Sequence, residues 1–288
     1  MMKRFQGFIY GLISSATFGL IPLFSIPMMR EGMSFEAIML YRFILASAIL
    51  AVIMLMRGEK FDIQWRDAPW LVLFAGYYLV SALLLFWSYN YMASGIATTL
   101  LFMYPVLTTI LMMTIFHERG SVWRFLAIAL SVAGVYFLSG GGSATAVSGV
   151  GLAIILFSAF AYSLYLVTVG QVRAGRMKGL KLTFYVFFFG SLMLLIGVPL
   201  TGGLEPIPST TAMFNLVMLT LVPTIISNLT LVYSIKSIGS TLTSVLGALE
   251  PVTAVCVGVY AFGEPFTAGI AFGVALIIAA VTIIILKH

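Results

Sequence analysis

Charge is scarce in this chain. Asp, Glu, Lys and Arg together make up 8% of its 288 residues, against about 25% in soluble domains. There is one cysteine, Cys256, so an intramolecular disulfide is excluded. The two histidines, His117 and His288, do not combine with it into a metal-ligand set. No nucleophile–base constellation and no phosphate-binding glycine loop is present. Those absences argue against an intramembrane enzyme and against a pump that hydrolyses ATP by itself, and no cofactor is expected. Strict alternation of apolar and polar residues is also missing, which argues against a transmembrane β-barrel.

What the chain does have is hydrocarbon. Hydrophobic residues make up 61% of it, and the mean hydropathy is +1.13. An all-α integral membrane protein is the reading that disposes of so much apolar surface. A span needs roughly 20 residues, and ten fit. Charges, Gly and Pro bound them at 6–28, 36–56, 69–89, 96–116 and 122–139, then at 148–170, 182–200, 211–234, 241–262 and 267–286. The opening stretch resembles a signal peptide, but no small-residue cleavage site follows it, so it reads as the first span.

The net charge of +6 is distributed on one side of these spans. Lys3, Arg4, Arg57, Lys60, Arg66, Arg119, Arg124, Arg173, Arg176, Lys178, Lys181, Lys236 and Lys287 all fall there, whereas the other side holds Arg30. This is the positive-inside pattern. It places both termini in the cytoplasm of a cell whose inner membrane holds the protein, and it accounts for the basic balance without nucleic acid. Trp65, Trp70 and Trp123 lie near predicted cytoplasmic ends, as interfacial tryptophans do.

The halves resemble each other. A shift of 146 residues superposes Ser81 on Ser227, Leu83 on Leu229, Ser88 on Ser234 and Ser94 on Ser240, then Leu100 on Leu246, Pro105 on Pro251, Val106 on Val252 and Glu118 on Glu264. With five spans in each half, the second enters the membrane from the opposite side. The expected domains are therefore residues 1–139 and 148–288, two five-helix inverted repeats around a central cavity, joined by a small-residue linker at 140–147.

Four stretches carry a family resemblance: "GFIYGLISSATFG" from Gly7, "YRFILA" from Tyr41, "YPVLTTILMMTIFHE" from Tyr104 and "LEPVTAVCVGVYAFGEPF" from Leu249. In that order they resemble EamA-type members of the drug/metabolite transporter superfamily. The resemblance implies ten helices, a central cavity and export or exchange of small metabolites, often amino acids. A lipid scramblase or scaffold is the competing class. The first repeat departs from the pattern by carrying Tyr104 where the second carries Glu250.

Candidate substrate-binding residues follow from cost. Glu250 sits in mid-span, where a carboxylate is expensive. It either faces the cavity or packs against backbone freed by Pro251. Pro105 and Pro251 are candidate hinges, since each removes a helical hydrogen bond. Arg42 offers a bidentate fork for a carboxylate, but reaching the headgroup region or pairing with Glu36 is the favoured reading of so long a side chain. Tyr77, Tyr78, Ser81, Tyr104, Tyr162, Tyr165 and Asn228 carry polar groups at mid-span depth. Glu118 and Glu264 read as structural carboxylates before helix starts, and Cys256 as a small packing residue.

Overall fold

The computed structural model describes residues 2–88, 91, 100–138, 149–197, 205–262 and 267–287. The predicted linker, 140–147, and Glu264 lie outside them. Among the described residues every regular element is helical, as a spanning chain in hydrocarbon requires when its backbone groups must pair with one another.

In chain order the first half contains α1 (Met2–Phe18), α2 (Ile21–Arg30), α3 (Phe35–Met56), α4 (Ala68–Ser88), α5 (Tyr104–Thr114) and α6 (Val122–Leu138). The second contains α7 (Gly149–Gln171), α8 (Gly179–Gly197), α9 (Thr210–Leu219), α10 (Ser227–Ile238), α11 (Ser240–Leu246), α12 (Leu249–Phe262) and α13 (Ala268–Lys287). Among the described residues, seven helical segments are long and apolar enough to cross a membrane, and three shorter apolar helices fall in the remaining predicted spans.

Two of the seven segments are discontinuous within their span. α1 and α2 together form the first, broken at Gly19–Leu20; α11 and α12 form another, broken at Gly247–Ala248. α5 also begins inside its predicted span, at Tyr104, after a turn closed by the Met103 amide on the Leu100 carbonyl. Each of α2, α5 and α12 has proline in its first turn: Pro22 and Pro105 at the second position and Pro251 at the third. There the missing N–H has no intrahelical acceptor to lose. The expectation that Pro251 orphans the Gly247 carbonyl is therefore overturned. That carbonyl accepts the Glu250 amide at 2.9 Å.

α9 and α10 are joined without a break by a π-helical segment, Thr220–Ile226, that contains Pro223. The wider i→i+5 winding absorbs the proline. Ser34 and Ser209 cap α3 and α9 by accepting the Ala37 and Ala212 amides at 3.3 and 2.9 Å. Each such cap is worth about 1 kcal/mol.

Small residues set the packing. Helices in lipid associate by close fit, since the tails are as apolar as leucine. Gly134 brings α6 onto α13, where a Cβ would lie 2.8 Å from the Gly273 carbonyl. Gly7 brings α1 onto α10, where a Cβ would meet Ser237 at 2.6 Å. The pairings are reciprocal between the halves. α4 packs on α7 as α10 packs on α1, α5 packs on α7 as α12 packs on α1, and α3 packs on α8. Ser158 donates to the Ser81 carbonyl at 2.7 Å, and Ser227 donates to the Ser14 carbonyl at 3.0 Å. These bonds join the same two helix pairs.

Loops tie the α3–α8 pair at both ends. On the face bearing the N-terminus, Lys178 and Lys181 pair with Glu59 and Asp62 at 3.0 and 2.8 Å. Tyr185 donates to the Phe61 carbonyl, Arg173 reaches Gln64, and Lys236 donates to the Met177 carbonyl. Lys181 and Lys236 belong to α8 and α10 rather than to loops. On the opposite face the Ser34 amide donates to the Glu205 carboxylate at 2.6 Å, and Ser209 donates to Glu31. Lys181 holds the exposed Asp62 carboxyl below its ordinary value, first by its hydrogen bond and then by its charge.

Candidate transport cavity

The three helix starts converge. Gly19 lies against the backbone of Glu250 and Ala254, so close that a Cβ would overlap the Glu250 carbonyl. Gly247 lies against Tyr104 in the same way, with the ring Cζ 2.9 Å from where a Cβ would be. Between them opens a cavity of about 120 Å³. Its polar wall is Arg42, Tyr78, Ser81, Tyr104, Tyr162 and Glu250, and Phe18, Ile21, Leu85, Phe86 and Leu101 are prominent in its apolar wall.

Arg42 does not reach for a headgroup, and it does not pair with Glu36. The side chain turns inward at 4% exposure, on α3, and donates to the Tyr78 hydroxyl at 3.3 Å. Among the described residues it forms no ion pair, and its Nε has no hydrogen-bond partner. Asn228 donates to the same Tyr78 hydroxyl at 3.2 Å and to the Thr224 carbonyl at 2.8 Å. The second of these bonds uses the π-helical segment. Tyr78 thus accepts two donors, and a guanidinium without a counter-ion faces the cavity. A buried cation in that condition is costly unless an anion arrives.

Glu250 stands in the first turn of α12. No described side chain is hydrogen-bonded to its carboxylate, which is open to the cavity. Tyr104 holds the matched place in the first turn of α5. The Tyr162 ring meets Tyr104 edge-on with centroids 4.8 Å apart.

Of the other expected site residues, Tyr77, Tyr165 and Asn228 fall outside the cavity wall. Tyr77 is half-buried in helix packing and outside the cavity wall. Tyr165 is fully buried, its ring against Tyr162 and Tyr78 at 6.1 and 5.4 Å. Asn228 stands behind Tyr78 as its donor. Ser81 reaches the wall, but its hydroxyl lies 3.3 Å from that of Ser158. Cys256, expected in packing, is exposed. Phe18 was not legible as a wall residue; the signal that was available is the glycine after it and Pro22, which together mark a break in the first span.

A second, narrower cavity of about 10 Å³ lies toward the N-terminal face. It is lined by Ser14, Ser15, Leu231, Thr243, Ser244 and Gly247 among others. Four residues border both cavities: Phe18, Tyr104, Tyr162 and Glu250. They form the septum between them.

The EamA-like transporter family matches the chain twice, over residues 5–140 and 149–286. This protein belongs to that family. Among the relatives of this EamA-like membrane protein, the uncharacterized transporter sll1319 of Synechocystis is 28% identical over 76% of this chain and 67% of its own. An uncharacterized transporter of Archaeoglobus fulgidus is 26% identical over 88% of this chain and 89% of its own. The uncharacterized transporter YdfC of Bacillus subtilis is 25% identical, over 81% and 76%. A solved crystal structure at 18% identity superposes with a TM-score of 0.84, covering 98% of this chain and 96% of that one, and so shares the fold. The protein is a multi-pass membrane transporter, with a small-molecule substrate and the lipid bilayer as its partners.

Proposed function

We propose that the protein is a secondary transporter that exports or exchanges small zwitterionic metabolites, amino acids foremost, by alternating access. The observation that carries this is the pairing, in one cavity, of an arginine without a counter-ion and a carboxylate without a donor among the described residues. Arg42 takes the substrate carboxylate and Glu250 its ammonium. Residues Phe18, Ile21, Leu85, Phe86 and Leu101 accept an apolar side chain.

The same reading holds that ten helices cross the membrane as two inverted five-helix repeats, residues 1–139 and 148–288, with 140–147 between them. The reciprocal helix pairings and the Ser81–Ser158 and Ser14–Ser227 bonds support it. So does the coincidence of Tyr104 and Glu250 at matched helix starts. Both termini are cytoplasmic in the inner membrane, following the basic residues.

The test uses purified protein in liposomes loaded with single labelled amino acids, and measures counterflow. Flux is expected for amino acids with apolar side chains. It should fall in Glu250→Gln, with a flattened pH profile, and in Arg42→Lys. Counterflow of none of the twenty, alongside flux of an anionic or cationic metabolite, overturns the zwitterion reading. Unchanged flux and pH profile in folded Glu250→Gln removes the role given to Glu250.

A further inference from the structure

The two cavities are unequal, and the reason lies on the N-terminal side of the septum. Below Gly247 the route is filled by α11, whose seven residues are all buried. α11 is bounded by Gly239, at φ +87°, and by the Gly247–Ala248 break. It is thus a short helix between two glycines, the residue type that tolerates the widest range of backbone angles.

This helix is held by hydrogen bonds to three other helices or loops. Ser240 donates to the Leu166 carbonyl at 2.7 Å, from α7. Thr243 and Ser234 share a hydrogen bond at 3.0 Å, from α10. Thr241 donates to a Glu118 carboxylate oxygen at 2.9 Å, and the other oxygen of Glu118 receives Arg124. Both carboxylate oxygens are therefore engaged by side chains. Of the three ties, the one to Glu118 is charge-assisted, and it comes from the other half of the chain.

We propose that α11 is the gate on the N-terminal side of the route and that Glu118 latches it shut. The proposal rests on the cavity being the transport route, and it adds the device that closes one end. Release of Thr241 from Glu118 frees α11 to swing about Gly239 and Gly247, and the narrow cavity then opens to the N-terminal face. In sequence, the partners of the latch are found on one side. At the 146-residue shift Arg124 corresponds to Ile270 and Thr241 to Gly95, so the sequence does not repeat its partners at the other end. The loop pairs at the ends of α3–α8 are different in kind. They occur on both faces in a single state, so they do not distinguish one end of the route from the other.

Cysteine accessibility tests this without any substrate, so its outcome is independent of what the protein carries. In full-length Cys256→Ala protein in oriented vesicles, Ser244→Cys reports the narrow cavity and Leu85→Cys the wide one. An impermeant thiol reagent is applied from each side in turn. Glu118→Ala is expected to raise Ser244→Cys labelling from the N-terminal face about tenfold, as the loss of one charge-assisted bond implies. Thr241→Val should raise it less, and Glu118→Gln least. Labelling of Leu85→Cys should stay the same or fall. Asp62→Asn, which removes a loop pair, should change neither. An unchanged Ser244→Cys rate in Glu118→Ala overturns the latch. So does a rise at both reporters, which marks general loosening, or an equal rise in Asp62→Asn.

Discussion

The ring of Tyr104, in the first half, rests on Gly247, in the second, with no space for so much as a methyl group between them. The start of α5 and the break before α12 are thereby locked in van der Waals contact.

Gly247→Ala forces that contact apart. The expected cost is about 1–3 kcal/mol, as for other insertions into filled space, seen as a lower thermal midpoint in detergent. Adding Tyr104→Phe removes the oxygen that overlaps most and should restore part of the loss. Equal midpoints for wild type and Gly247→Ala would show that the two are not in contact.

Arg42→Met separates function from folding. A buried cation without a carboxylate partner does little for stability, so the midpoint should hold or rise while amino-acid counterflow is lost. Arg42→Lys keeps the charge and loses the fork. Its KM should rise about tenfold with kcat less affected. A large drop in thermal midpoint for Arg42→Met, with transport intact, contradicts this assignment.

The Asp62–Lys181 pair predicts a pH effect confined to acid. Asp62 is held below its ordinary value by Lys181. Its contribution is present above the unfolded carboxylate pKa of about 3.9 and is lost as pH falls through the lowered folded value. Exchange-corrected protection of amides 57–67 should be flat from neutrality to about pH 5 and should weaken in stronger acid. Lys181→Met should abolish that acid-dependent step. Since Asp62 is exposed, the effect should be small and screened by salt.

Topology has its own check. Cysteines at Ser143 and Lys178, in a Cys256→Ala background, should label with impermeant reagent from opposite sides. Labelling of both from one side removes the inverted arrangement of the halves.

Much of the fold is legible in the sequence because hydrocarbon leaves the backbone so few options. The spans follow from apolar length, and Glu250 and Tyr104 from the cost of polar atoms at depth. Side-chain direction is harder to read. α3, α4 and α7 are apolar nearly all round, so no polar stripe separates Tyr77 from Tyr78, adjacent residues about 100° apart on the helix. Pro251 reads as a kink inside one long span. It sits instead at a helix start, and nothing local distinguishes the two until Gly247 is seen against Tyr104. Arg42 is misread for the opposite reason. Its length suits the headgroups, and its inward turn depends on Tyr78, 36 residues away in sequence.

Tyr104 stands where strict symmetry with Glu250 would put a second carboxylate. Among the described residues the cavity wall therefore holds one acidic group and one arginine, and the formal charges of the two cancel. A zwitterion moving through such a site carries no net charge across the bilayer. With no ion coupled to it, such transport should be electrically silent, and membrane voltage should neither drive it nor hold it back. Glutamate at position 104 would add a second carboxylate to the wall and upset that balance.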